Sequence, residues 1–165
     1  MTSLTPSAIA VFCVMQFVRE FLVRVLGLDI GSKRIGIAIS DELGFTAQGL
    51  ETLICKNPGA DLERIARLAE EYLVVEIVVG MPYNMNGTEG PQAQKVRALM
   101  ERIGEKTHRP VQEWDERLST AAADRALLEA DMSRSKRRKV IDKIAAVIIL
   151  QGYLDRQRYK ESSNS

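Results

Sequence analysis

Cysteine and histidine are the scarce residues of this 165-residue chain, which holds two of the first, Cys13 and Cys55, and one of the second, His108. Two distant cysteines exclude a disulfide framework or a zinc cluster and suit a reducing cytoplasm, where they serve as packing residues. The lone histidine, followed by Arg109-Pro110, reads as a loop or helix-end residue and excludes a histidine-built metal site. Any metal must therefore rest on carboxylates. A charge of one sign is lacking too: 23 Lys+Arg against 22 Asp+Glu leave +1. No global field announces a polyanionic partner, so one would be held by a local patch. Long apolar runs are also missing. Ala8 to Val18 is the most apolar stretch near the start, well short of the about 20 residues that span a bilayer. Met1 to Ser7 has no basic residue to open a secretory signal. No membrane role is expected. No internal repeat is visible, and the length suits one domain.

The patterned part of the chain begins at Arg24, which makes 1–23 an extension of doubtful role, 24–158 the domain, and 159–165 a polar tail expected to be disordered. Residues 24–30 (RVLGLDI) form an apolar, β-branched run stopping at Gly31, a buried strand. Arg34 to Ser40 and Gln48 to Cys55 are two further extended runs, and the short turns between them predict antiparallel neighbours. Asp61 is a candidate N-cap for a helix to about Tyr72, with Leu62, Ile65, Leu68 and Ala69 at helical spacing. Val74 to Gly80 is almost wholly apolar, as a central strand covered on both faces must be, and it is reached through a helical crossover. A second helix over about Thr88 to Gly104 leads to a fifth strand, Pro110 to Asp115. Two closing helices are expected over about Ser119 to Ala130 and Lys139 to Arg158. The sum is an α/β domain, a five-stranded mixed sheet with three antiparallel strands, then two parallel ones, flanked by helices.

Three carboxylates have positions that favour chemistry. Asp29 closes the first strand between Gly27 and Gly31, at the end where open α/β sheets present their crevices. Glu116 follows the fifth strand, where Asp115 competes for the same role because side chains alternate along a strand. Asp142 has Ala145, Ala146 and Ile149 on its own helix face, so the helix carries it towards the sheet. The plain alternative for Asp142 is an ion pair with Arg138, Lys139 or Lys143. Together the three make an oxygen-ligand set suited to Mg²⁺ or Mn²⁺. Two such ions about 3.5 to 4 Å apart can orient an attacking water and stabilise the leaving oxygen of an in-line phosphoryl displacement.

Basic residues flank these positions: Lys33 and Arg34 beside Asp29, and Arg134, Lys136, Arg137 and Arg138 in the run RSKRRK at the start of the last helix. Cations are disfavoured by the dipole at a helix N-terminus, so a grip on phosphates explains the run better than a solvated helix end. The loop 81–90 follows a strand end and offers Asn84, Asn86 and Gly87 as amide and backbone contacts, or serves as an ordinary crossover loop.

Four stretches in order, 28–36 (LDIGSKRIG), 79–88 (VGMPYNMNGT), 115–120 (DERLST, which contains Arg117) and 141–146 (IDKIAA), resemble the YqgF family of Holliday-junction-resolvase-like proteins, also described as pre-16S rRNA nucleases. The resemblance spans about Arg24 to Arg158. It implies a ribonuclease-H-like fold, a cytoplasmic bacterial protein, and phosphodiester hydrolysis during maturation of the 5′ end of 16S rRNA. It also implies a ribosomal particle as possible presenter of the substrate. Asp29, Glu116 and Asp142 fall on the acidic metal-ligand positions, and Arg117 joins Lys33, Arg34, Asn84, Asn86 and the 134–138 cations as nucleic-acid contacts. Resolvases of this fold often carry a fourth acidic residue one helical turn on, where this chain has Ala145 and Ala146.

Three other readings compete. The same chemistry would serve a resolvase of branched DNA, which needs a symmetric homodimer to make paired cuts where a ribonuclease can act as a monomer. Asp29-Ile30-Gly31 also resembles the phosphate loop of actin-like and sugar-kinase ATPases, but those folds close a second lobe over ATP, and 27–33 lacks the G-x-x-x-x-G-K spacing. The third is a noncatalytic ribosome-assembly or nucleic-acid-binding module that keeps the fold with a weakened site.

Overall fold

The computed structural model describes residues 23–118 and 134–163, and within 134–140 the backbone alone. Five strands form one sheet: β1 (Val25–Ile30), β2 (Arg34–Ser40), β3 (Ala47–Ile54), β4 (Glu76–Met81) and β5 (Val111–Asp115), in the order β3-β2-β1-β4-β5. β1 pairs antiparallel with β2, and β2 with β3, while β1–β4 and β4–β5 are parallel. The short turns force the first three strands antiparallel. Each parallel pair is reached through a helix, α1 (Pro58–Glu71) before β4 and α2 (Pro91–Thr107) before β5. A 3₁₀ turn, Glu116–Leu118, follows β5, and the helix α3 (Arg134–Ser163) closes the described chain. This is the five-stranded mixed sheet expected from the pattern.

Alternation along the strands divides the core. Leu26 and Leu28, Ile35, Ile37 and Ile39, and Ile77, Val79 and Met81 meet Ile65 and Leu68 of α1 and Val96 and Ile103 of α2. The residues between them, Val25, Ala38, Val78 and Trp114, face Ala146, Ile149, Leu150 and Tyr153 of α3. β4 is buried on both faces, which is why its sequence is apolar without alternation. Each buried Leu, Ile or Val contributes roughly 1.5–3 kcal/mol over its exposed state. The two faces therefore fix the strand register firmly, since a slip by one residue would exchange their side chains.

Several boundaries differ from the sequence expectation. The cap of α1 is Asn57, whose Oδ1 accepts from Gly59 N at 2.9 Å and Ala60 N at 3.3 Å, with Pro58 preset in the first turn. Asp61 instead lies inside that turn, where a negative charge suits the dipole. The last helix starts at Arg134 and runs to Ser163, through most of the tail expected to be disordered. Beyond Tyr153 the segment lacks Gly and Pro, and Ser162 and Ser163 donate to the carbonyls of Arg158 and Tyr159, so the docked helix simply continues. His108 caps α2 in the left-handed region, φ 54°, as a helix-end residue. The helix expected at Ser119–Ala130 and the extension at 1–22 lie outside the described residues.

Candidate nuclease site

The three carboxylates are brought to one face of the sheet by parity and by glycine. Asp29 follows Val25 and Gly27 on the α3 face of β1 and pairs with Gly36 of β2. Carrying the Leu28↔Val79 register one residue further sets Gly80 of β4 on its other side. Asp29 thus lies between two residues without side chains, and α3 and the β5 end lean into that space. A Cβ on Gly36 would stand 1.9 Å from the carbonyl oxygen of Asp142. One on Gly80 would meet Glu116 Oε1 at 2.6 Å and Ile149 Cδ1 at 2.5 Å. Glycine inside a strand commonly marks such close approach, and that signal was readable in the sequence at Gly36 and Gly80.

Asp115 and Glu116 lie on different faces. Asp115 pairs with Met81, on the α1–α2 side, and its carboxylate is forked by Arg117 through Nε at 3.0 and 3.1 Å and Nη2 at 2.6 Å. That guanidinium holds Asp115 below the usual carboxylate range, against the opposing effect of burial. Glu116, one residue on, turns its carboxylate over Gly80 on the face of Asp29 and Asp142. Neither Asp29 nor Glu116 stands unpartnered.

Asp142 lies half-buried where α3 meets β2. Its Oδ2 is buried and has no hydrogen bond, and Arg34 Nη1 lies 3.6 Å away. Arg34, not Lys143, is its cation among the described side chains, so this residue, expected to hold phosphate, also serves the carboxylate. The side chains of Arg134, Lys136, Arg137 and Arg138 lie outside the described residues. A buried carboxylate oxygen with only a long ionic contact is costly, and a metal ion is one of its remedies. Among the described residues, however, no three His, Cys, Asp or Glu side chains are grouped closely enough to hold an ion. The carboxylates share a face without closing a cage.

The loop 81–90 stands at the same end of the sheet and is internally fastened. Asn84 N donates to Thr88 O at 2.9 Å and Gly87 N to Asn84 O at 2.8 Å, with Gly87 at φ 82°. Asn86 Oδ1 accepts from Thr88 N and Oγ1, and Asn84 Nδ2 donates to Thr88 Oγ1. Both asparagines, expected as substrate contacts, spend amide atoms on the loop itself. Arg117 braces the loop from the 3₁₀ turn after β5: it lies 5.6 Å over the Tyr83 ring and donates to Met85 O at 3.4 Å. Lys33 is exposed in the β1–β2 turn, where its carbonyl accepts from Cys55 N at 3.0 Å.

A cleft of about 460 Å³ opens between α1 and α2, lined by Ile30, Ile35, Cys55 and Leu62 among others. It contains none of the three carboxylates, and burial pushes the Cys55 thiol up, away from reactivity. The three carboxylates lie instead on the opposite face of the sheet.

Comparison with known proteins agrees with this architecture. The family model RuvX, described as Holliday junction resolvase, matches residues 23–156. A protein of Symbiobacterium thermophilum, provisionally named pre-16S rRNA nuclease, is 60% identical over 132 residues, 80% of this chain and 92% of its own. Relatives with the same provisional name from Desulforamulus reducens and Clostridium botulinum are 56% and 58% identical, each over 80% of this chain and 96% of their own. Among solved structures, Thermus thermophilus RuvC in complex with a Holliday junction substrate superposes with a TM-score of 0.55 at 14% identity, covering 82% of this chain and 96% of that one. At that identity the likeness concerns the fold, which is ribonuclease-H-like as the sequence implied.

Proposed function

Because the chain belongs to the RuvX family of nucleases, we propose that it is a divalent-metal-dependent endonuclease acting in the cytoplasm on precursor 16S rRNA. The observation that carries the reading is that Asp29, Glu116 and Asp142 share the α3 face, beside the glycine-lined row Gly36–Asp29–Gly80. Asp142 Oδ2, buried without a hydrogen bond, fits a metal ligand, and an all-oxygen donor set suits Mg²⁺ or Mn²⁺. Their open arrangement fits ions that keep several waters and complete their shells with substrate phosphate oxygens. When bound, such ions supply Lewis-acid activation of water and stabilisation of the leaving oxygen.

The chain's own residues supply the rest. Asp29, Glu116 and Asp142 would hold the metal. Arg34 restrains Asp142 and offers positive charge beside the scissile phosphate. Lys33 would extend that charge along the strand, and the sequence pattern proposes the same of Arg134, Lys136, Arg137 and Arg138. No helix of the described residues is long and apolar enough to cross a membrane.

The family description favours one second reading, cleavage of a four-way DNA junction. Purified protein with Mg²⁺ or Mn²⁺ is offered a 16S rRNA precursor fragment and a four-way junction, beside the Asp29→Asn and Asp142→Asn variants and a chelated control. Cutting of the RNA, lost in both variants and under chelation with the fold retained, is expected. Symmetric cuts in the junction alone would move the assignment to resolvase, and full activity in either variant would remove the carboxylate site.

A further inference from the structure

Met85 is 93% exposed, more than any other large apolar side chain among the described residues. It sits at the tip of the loop that leaves β4 just beyond Gly80, over which the Glu116 carboxylate lies. An exposed methionine on a slack loop would mean little. This loop is not slack: five hydrogen bonds among Asn84, Asn86, Gly87 and Thr88 close it, and Arg117 fastens its backbone at Met85 O while forking Asp115 of β5. The polar residues on either side of Met85 are turned to loop construction, and the one side chain left projecting is apolar.

We propose that Met85 is a base-contacting residue, a preorganised apolar wedge that packs on an unstacked nucleobase of the substrate beside the scissile phosphate. The inference rests on the nuclease reading above and adds the substrate element it grips. A thioether in water gains by covering a base face, and side chains of this type wedge between base steps in other nucleic-acid complexes. Such a contact is tolerant of sequence because every base has a face to cover. Because the loop is already ordered, little of that gain is spent on fixing it. Met85 thus acts on binding and register, while the carboxylates act on the bond.

Two measurements on the full chain test it. Met85→Ala is expected to raise the KM for the precursor RNA fragment roughly tenfold, equivalent to about 1.4 kcal/mol, with kcat within about twofold and an unchanged melting temperature. Met85→Leu should restore the wild-type KM. Independently, hydrogen peroxide oxidises an exposed thioether to the sulfoxide, and mass spectrometry of the 81–90 peptide separates Met85 from the buried Met81. Saturating precursor RNA, or the four-way DNA junction, should slow Met85 oxidation at least about fivefold. Which of the two protects identifies the source of the base. Protection without cleavage would leave the base contact standing and sink the nuclease reading. Cleavage with an unchanged KM in Met85→Ala, or oxidation undiminished by either nucleic acid, would overturn the wedge.

Discussion

Gly36→Ala tests the geometry that brings Asp142 to Asp29. The added Cβ would stand 1.9 Å from the Asp142 carbonyl oxygen and 2.6 Å from its carbonyl carbon. A close carbon-to-carbonyl-oxygen contact is about 3.3 Å, so about 1.4 Å of separation has to be found. Both sides of the clash are backbone. β2 is bonded to β1 and to β3 and cannot retreat alone, so the first turns of α3 must lift. Gly80→Ala is the milder change, because Ile149 Cδ1 and Glu116 Oε1 end rotatable side chains. Overpacking costs about 1–3 kcal/mol and more where backbone must move; we expect about 3 kcal/mol for Gly36→Ala. At roughly 2–4 °C per kcal/mol for a chain of this size, the melting temperature should fall by about 6–12 °C. A displacement of Asp142 by about 1 Å should cost about a hundredfold in cleavage rate even where the variant is fully folded. Thermal unfolding by circular dichroism, with initial rates taken well below both midpoints, reads the two effects separately. A melting temperature within about 2 °C of wild type together with a rate within about twofold would refute the seating of α3 on β2.

Two further outcomes follow from titrating groups. Asp115 has its native carboxyl lowered by Arg117, so the pair's stabilisation is present above the unfolded carboxylate range of about pH 3.9 and is lost as pH falls through the lowered native value. Arg117→Ala should flatten the acid limb of the melting-temperature profile; an unchanged limb would show that the fork adds no stability. Burial, with the hydrogen bond to Glu76 Oε2 at 2.7 Å, pushes Tyr153 up to about 12. The protonated form is the one favoured, so this stability is present below the unfolded value of about 10 and disappears as pH rises through about 12. A phenolate absorbance titration should show a late-ionising tyrosine that vanishes in Tyr153→Phe; its persistence would assign the late step elsewhere.

The strands, the parallel crossover and the face division were legible in the sequence because each depends on local spacing. In Arg34 to Ser40 the isoleucines alternate with small residues and in β4 the run from Ile77 is apolar throughout, and both strands are buried on both faces. Motif resemblance likewise pointed to Asp29, Glu116 and Asp142. Tertiary structure decided what local spacing cannot carry. Asp115 and Glu116 are adjacent in sequence, and only the pairing of Asp115 with Met81 and the fork from Arg117 show that Asp115 lies on the face away from Asp29. Arg34 and Asp142 are 108 residues apart, so their ion pair exists only because α3 crosses the sheet at Gly36. Asn84 and Asn86 read as exposed polar contacts, yet their amides fasten the loop, and the side chain it presents is Met85. Composition and periodicity set which residues are buried; which distant partners meet is set by packing, where helix approach distance depends on a missing Cβ.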